Sequence, residues 1–525
     1  MEITRLNERI SATRQISVAD VAELANTGFK SIICNRPDGE EQQQPGAAMI
    51  ERAASDAGLH FAHVPAVSGA LTEQNAADMA NALTRLPGPV LAYCRSGARS
   101  TKLVEMAGAI QNGDTSSRTY DFVIVGGGSA GIATAASILK RNRGVSVAII
   151  EPSEAHYYQP GWTMVGAGVF DPDFTKRQEA LLIPAGADWI KASASGFAPD
   201  ENKVLLCDGG SVTYRVLIAC PGIKLDWEAI PGLKETLGRN GVTSNYGFDL
   251  APYTNQLVKE FKGGRALFTQ PVMPIKCAGA PQKAMYLSCF RWEKAGVLKE
   301  IDVQFHTAGA ALFGVAAYVP ALIEYVERCG AHLNFESKLV AIDGAARVAT
   351  FEQKRGDEVT RVEECFDIIH VVPPQVAPDF VRSSPLAAAS GFIEVDEATL
   401  QHPRYPNVFA LGDACSASNA KTAAAARKQA PVVAVNALAA LEGRAPVSDY
   451  DGYGSCPLTV EAGKIVLAEF GYGGKLLPSF PNWLIDGTRP SRLSWLLKDT
   501  ILPPVYWHGM LKGREWMVKP HMIGA

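Results

Sequence analysis

The sequence contains no Cys-x-x-Cys and no pair of histidines at ligand spacing, so no structural zinc or other metal site is expected. Its ten cysteines fall at irregular intervals. Most are read as small buried hydrophobes in a reducing compartment. Also missing is any run approaching the ~18 apolar residues of a membrane span. Lys plus Arg number 50 against 54 Asp plus Glu, a net charge of −4; the basic excess of a nucleic-acid binder is lacking, and no nucleic-acid partner is expected. The opening MEITRLNERISATRQ has no apolar stretch behind its basic residues, so it reads as a strand entering a domain rather than a secretory signal. There is no internal repeat and no low-complexity tract. What remains is a chain of 525 residues, 47% hydrophobic and 20% charged, ordinary for a soluble globular protein of about three to four domains.

The texture of the chain changes twice. FKSIICNRP (29–37) and GPVLAYC (88–94) read as strands, and TKLVEMAGAI (101–110) reads as a helix. The loop CRSGARS (94–100) therefore joins a strand to a helix N-terminus. QNGDTSSRT (111–119) is polar and breaks the pattern, as a linker does. We expect a first α/β domain over 1–112, a linker over 113–119, and a second domain of βαβ units over 120–448. A tail over 449–525 is aromatic and proline-interrupted.

YDFVIVGGGSAGIATAASILKR (120–141) places Gly126, Gly128 and Gly131 between a strand and a helix. VSVAIIEP then ends a second strand at Glu151, twenty residues past Gly131. Glycines there allow a tight turn and close approach of a pyrophosphate to the helix N-terminus, and the acid takes ribose hydroxyls. A second glycine fingerprint for a nicotinamide is absent. The strand RALFT (265–269) is followed by QPVMPIKCAGAPQK, and DVQFHT (302–307) by AGAALFG. Without that phosphate cradle, NAD(P)H is an unexpected electron partner.

YRVLIACPG (214–222) and NVFALGDAC (407–415) resemble the paired motifs of flavoproteins with two dinucleotide-binding domains. That likeness makes the cofactor FAD. KCAGAPQK (276–283), HYYQPGWTMVGAG (156–168), YDGYGSCPL (450–458) and LAEFGY (467–472) complete the set. Residues 120–518 closely resemble sulfide:quinone oxidoreductase of the mitochondrial type, which implies an α/β fold of two Rossmann-like domains.

The resemblance also implies the site. Two redox cysteines would lie on one face of the flavin and a quinone on the other. Cys277 would face the flavin, and Cys415 would carry the sulfur that sulfide leaves on opening their bridge. Ala414 separates Asp413 from Cys415, where the resembling enzymes set cysteine directly after Gly-Asp. Cys289 and Cys456 are read as structural, Cys456 in a Cys-Pro turn. By the same resemblance Ser129, Ala130, Gln159, Ala194, Asp379, Gly412 and Asp413 contact FAD, and Lys421 stabilises its reduced anion. The persulfide sulfur would pass to a small acceptor such as glutathione or sulfite. The alternative is a quinone-linked flavin dehydrogenase of the NADH type whose first domain acts as a tyrosine-phosphatase-like phosphatase.

In the tail, Leu493, Leu496, Leu497 and Ile501 recur at helical spacing before Pro503 and Pro504, and a second apolar-aromatic segment follows. Trp495, Tyr506, Trp507 and Trp516 suit a membrane interface, and from Asp486 onward six Lys/Arg face three Asp/Glu. The expectation is peripheral contact with the cytoplasmic face of the inner membrane.

The loop of Cys94 and Arg99 encloses four residues between cysteine and arginine. That is one fewer than tyrosine phosphatases use and is the length seen in rhodaneses. The helix N-terminus would lower the thiol pKa. ISVADVAELANTGFKSIICNRPDGEE and HVPAVSGALTEQNAADM, by contrast, resemble the phosphatase-fold domain of β-lactamase-hydrolase-like proteins. A persulfide-making partner makes sulfur transfer at Cys94 the coherent expectation, with Asp38 and Ser68 as candidate helpers.

Overall fold

The structure is a computed structural model that describes residues 3–7, 9–111 and 119–524. The chain divides into two compact units between Arg118 and Thr119. Of the expected linker only Thr119 is among the described residues, and it opens the first strand of the second unit.

The first unit holds strands β1 (Ile3–Arg5), β2 (Ile10–Thr13), β3 (Ser31–Cys34), β4 (His60–His63) and β5 (Val90–Tyr93), in the order β1-β2-β5-β3-β4. All neighbours but β1 and β2 run parallel. Among the described residues its helices are α1 (Val18–Asn26), α2 (Ala47–Asp56), α3 (Glu73–Arg85) and α4 (Ala98–Gln111). Alternate side chains of the central strands bury on opposite faces, as a two-residue period dictates. Ile33, Val90 and Ala92 meet Met79, Leu83 and Leu103 of α3 and α4. Ile32, Cys34, Leu91 and Tyr93 meet Val21, Leu24 and Ile50 of α1 and α2. Cys94 thus leaves the carboxyl end of a central parallel strand, where open α/β sheets bind ligands.

In the second unit the chain forms β6 (Thr119–Val125), α5 (Ser129–Arg141), β7 (Val147–Ile150), β8 (Ala187–Ile190), β9 (Ser211–Ala219) and β10 (Gly264–Gln270). It continues through α6 (Ala280–Lys294), β11 (Ile301–Thr307), α7 (Val319–Cys329), β12 (Ile368–His370), β13 (Val408–Ala410) and α8 (Ala423–Leu441) to the hairpin β14 (Gly454–Glu461) and β15 (Lys464–Phe470). One parallel sheet runs β8-β7-β6-β9-β13. A second parallel sheet sets β12 beside β10 and β10 beside β11. The central strands β6 and β7 carry continuous apolar runs over 122–125 and 147–150, as a sheet covered on both faces requires. Hairpin β14–β15 lies against α6, with Cys456, Leu458 and Val460 of one strand face in the same cluster as Ala284 and Met285.

Residues 492–512 form one irregular helical run, with π-helical turns at Leu497–Ile501 and Val505–Gly509. Pro503 and Pro504 lie inside it rather than dividing it, because the wider turns accommodate prolines that a regular α-helix would reject.

Candidate active sites

The dinucleotide cradle forms where β6 turns into α5. Gly126 has φ +107°, and a Cβ there would overlap the Cys220 carbonyl oxygen. A Cβ at Gly131 would overlap the Gly126 carbonyl, so helix and strand close only on glycine. Beside Gly128 no atom lies within 4 Å of where a Cβ would stand, which leaves room at the helix N-terminus. Glu151 follows β7 as expected and accepts the N–H groups of Gly127 and Ser153, each at 2.8 Å.

The second motif meets the first here. At Gly412, φ +70°, a Cβ would stand 3.1 Å from the Ala130 side chain, and the Gly412 N–H donates to Gln429 Oε1 at 2.8 Å. Asp413 follows; burial pushes its carboxyl up, against the pull of Lys421 and Lys276. Lys421 is itself buried, donates to the Cys415 carbonyl at 2.8 Å and stands 4.6 Å from the centroid of Phe392. Gln159 accepts from Lys276 Nζ at 2.6 Å. Ala194 opens an edge strand, Ala194–Ala198, whose Phe197 packs on Phe380 with ring centroids 5.6 Å apart. Asp379, beside Phe380, is exposed and ion-paired with Lys224 at 2.7 Å.

Cys277 lies in the loop between β10 and α6. Its φ is +85°, a conformation non-glycine residues rarely hold unless the surroundings fix them. The fixing groups are the Tyr246 hydroxyl on the Lys276 carbonyl, 3.0 Å, the Lys276 N–H on Gln375 Oε1, 2.9 Å, and the Ala280 N–H on the Cys277 carbonyl, 2.6 Å.

The sulfur facing Cys277 belongs to Cys456, 3.9 Å away. This corrects one expectation, the place of Cys456 in the fold. Cys456 sits within strand β14, paired with Ala468 of β15, and not in a turn. Cys415 is fully buried in the core of the other sheet and donates its thiol to the Gly412 carbonyl at 3.3 Å. Its placement follows from the backbone: Cys415 bridges to Ile393, which turns its side chain into that core. Gly279 lets the hairpin reach the loop, since a Cβ there would overlap Leu458.

The two facing thiols are unequal. Hydrogen bonding from Cys456, reinforced by Lys283 and Lys498 and opposed by burial, holds Cys277 well below the usual thiol range. Cys456 is pushed up by the same contact and by burial. Lys283 Nζ is 3.3 Å from the Cys277 sulfur. Lys498 comes from the first π-turn of the tail, where burial drives its ammonium well below the ordinary lysine range. Cys277 is thus the more ionised sulfur, with the buried Lys283 beside it to hold its charge. Sequence reading missed Cys456, Lys283 and Lys498. The signal was there in part: Cys456, Leu458 and Val460 share one strand face.

The tail also divides. Leu493, Leu496 and Ile501 are 48, 47 and 45% exposed, whereas Tyr506 and Trp507 are 4 and 5% exposed. The expectation that Tyr506 and Trp507 face a membrane is corrected: they pack on Tyr158 and His156 with ring centroids 4.8 to 6.1 Å apart. Among the described residues no helix is long and apolar enough to cross a membrane.

In the first unit, Cys94 accepts the Gly97 N–H at 3.2 Å, and Gly97 has the left-handed φ of +91° that curls the loop. Arg99 is buried. It donates to the carbonyls of Asn35, 3.2 Å, and Ala66, 2.8 Å, and to Glu40, 2.6 Å. Its Nε and the neighbouring Ser100 hydroxyl are buried without a hydrogen-bond partner among the described residues. Asp38 caps α2 through the Ala47 N–H at 2.8 Å, and Ser68 is exposed.

Comparison with known proteins agrees with this division. The chain is 42% identical over 401 residues to the mitochondrial sulfide:quinone oxidoreductase of Dictyostelium discoideum, covering 76% of this chain and 87% of that one. It is 38% identical over 399 residues to the mitochondrial enzyme of that name from Mus musculus, covering 76% and 88%. The chain belongs to the sulfide:quinone oxidoreductase family. The X-ray structure of the sulfide:quinone oxidoreductase from Aquifex aeolicus, 17% identical, shares the fold, with a TM-score of 0.62 over 76% of this chain and 92% of that one. Residues 2–111 match the family described as Beta-lactamase hydrolase-like protein, phosphatase-like domain. An α/β flavoprotein of this family is therefore fused to a phosphatase-like domain.

Proposed function

We propose that the second unit oxidises sulfide at Cys277 and Cys456 with FAD and quinone as successive electron acceptors. The observation that carries this is the 3.9 Å approach of the two sulfurs beside buried lysines, in a chain of this family. Sulfide anion adds to the Cys456 sulfur of the oxidised pair; the bridge breaks, Cys277 leaves as thiolate and Cys456 keeps the persulfide. Cys277 is the better leaving group because its thiol is the more acidic. An acceptor thiol such as glutathione, or sulfite, then removes the outer sulfur, and loss of two electrons restores the bridge. With a thiol acceptor the balance is one hydrogen sulfide, one thiol and one quinone giving one hydropersulfide and one quinol.

FAD supplies the two-electron relay when bound. The space beside Gly128, the closeness of Gly412 to Ala130 and the half-buried Asp413 near Lys421 and Lys276 suit it. Glu151, Ser129, Ala130, Gln159 and Lys421 would hold it. Quinone reaches the site from a membrane on which Leu493, Leu496 and Ile501 rest, so the chain binds peripherally.

Cys94 in the first unit serves as a sulfane-sulfur acceptor, its loop amides and Arg99 facing an anionic donor. Support for this part is the loop length and the fusion itself. The experiment for the main reading is anaerobic titration of the flavin. Sulfide should bleach it and added quinone restore it; bleaching by NADH alone, with none by sulfide, overturns the reading.

A further inference from the structure

A buried chain of polar groups links the tail to the cradle. Ser129 Oγ lies 2.8 Å from the Tyr506 hydroxyl, which lies 2.6 Å from His156 Nε2; His156 Nδ1 lies 3.0 Å from Glu179 Oε2. His156, Glu179 and Tyr506 are all buried. Glu179 Oε1 has no hydrogen-bond partner among the described residues and sits against Gly127 of the cradle. The tail segment is anchored on α5 by Glu515, which accepts from Arg141 at 2.5 and 2.8 Å and from Ser137 at 2.8 Å. Tyr506 is therefore held in place independently of the chain it completes.

Hydrogen counting gives this chain a direction. With no anion at the helix N-terminus, Ser129 can donate to Tyr506, Tyr506 to a neutral His156, and His156 to the Glu179 carboxylate. An anion at the cradle demands donors. Ser129 then turns its one hydrogen outward, and its oxygen accepts from Tyr506. Tyr506 must accept in turn from His156 Nε2–H. That leaves His156 Nδ1 facing a carboxylate at 3.0 Å, and the contact holds only with a further proton between them.

We propose that Tyr506 is a positioning residue that hands the Ser129 hydroxyl to the pyrophosphate of FAD, and that FAD binding takes up one proton on the His156–Glu179 pair. This rests on the FAD reading above. The surroundings fit. Glu151 lies near Glu179 and burial pushes the Glu179 carboxyl up, so a proton is welcome there. The opposing cation is Arg177, 5.0 Å over the ring of Trp507, which itself packs edge-on to His156. Tyr158 and Trp507 close the remaining sides with rings.

The test is FAD affinity of the deflavinated full chain from about pH 5.5 to about pH 9, the span of histidine titration. In the parent chain the dissociation constant should climb toward tenfold per pH unit on the alkaline side, as uptake of one proton requires. Tyr506→Phe keeps the ring packing and removes the hydroxyl. It should weaken binding about tenfold at low pH, the scale of one hydrogen bond to a charged group, flatten the pH profile, and shift the phosphorus resonances of bound FAD. His156→Gln should flatten the profile too. A parent profile that is already flat, or one unchanged in Tyr506→Phe, overturns the proposal. Failure of the parent chain to bind FAD at all would instead overturn the cofactor reading.

Discussion

The sulfurs of Cys277 and Cys456 face each other at 3.9 Å although 179 positions separate them in the chain. One is held in a strained loop before α6, and the other is delivered by a hairpin lying on that helix. Neither depends on the dinucleotide cradle for its position. The redox pair and the flavin site are therefore separable by mutation.

Cys456→Ser and Cys277→Ser should each keep yellow FAD and lose sulfide-dependent quinone reduction by at least about a hundredfold, as expected when either member of a reacting pair is removed. Cys415→Ala should keep most of that activity, since its thiol is turned to the Gly412 carbonyl inside the other core. Steady-state quinone reduction with flavin content measured in parallel decides this. Inactive Cys415→Ala with active Cys456→Ser would return the sulfur carrier to the Gly-Asp loop.

That pairing shows where sequence was sufficient and where it was not. The cradle was legible because its parts are local: a strand, three glycines, a helix and the acid ending the next strand lie within Tyr120–Glu151. Gly412 and Asp413 were legible for the same reason, as the end of a strand. Cys456 was hidden because its partner is fixed by hairpin packing on α6, a contact between distant segments. Tyr506 and Trp507 were misassigned because an aromatic pair beside prolines has the composition of a membrane interface; only the packing on His156 and Tyr158 tells a core from a lipid contact.

His370 gives the second unit an acid limit. It is fully buried in β12, its Nε2 accepts the Asn245 N–H at 2.9 Å, and burial lowers its pKa to about 4. The unfolded chain takes this proton near the ordinary value of 6.5, so the folded state loses stability as pH falls from there toward 4. The loss is about 3 kcal/mol at most for this one group. His370→Gln, which can still accept from Asn245, should be less steeply destabilised over that interval, by close to one proton in the slope. Thermal unfolding followed by flavin release at a series of pH values measures it; an unchanged slope assigns the acid limit to other groups.

For the first unit, Cys94→Ala in the full chain should leave sulfide-dependent quinone reduction near normal and abolish labelling of the loop by a sulfane-sulfur donor. Parent protein should gain one sulfur on the peptide containing Cys94. Arg99→Ala should weaken the labelling, because the guanidinium holds the loop to the Asn35 and Ala66 carbonyls and carries a positive charge within the loop. Glu40→Gln frees that guanidinium from its 2.6 Å ion pair and should tighten anion binding. Rapid hydrolysis of aryl phosphates with no sulfur on Cys94 would make the unit a phosphatase.

The membrane contact now has to be tested without removing the tail. Ending the chain before Arg492 would also delete Lys498 from the thiol pair and Tyr506 from the cradle, so lost activity would not report on membranes. The exposed residues allow a cleaner cut. Leu493, Leu496 and Ile501 lie on the early turns of the helical run and have no role in either site. Replacing all three by Ser removes apolar surface without adding a buried charge. The variant should keep FAD and full reduction of a short-chain, water-soluble quinone, yet lose sedimentation with anionic liposomes and most turnover with a long-chain quinone. Each buried side chain of this size contributes roughly 1.5–3 kcal/mol, so partial insertion of three should change liposome binding by well over about tenfold. Liposome binding equal to the parent chain would place the contact elsewhere, with the exposed Trp483 and Leu484 the next residues to replace.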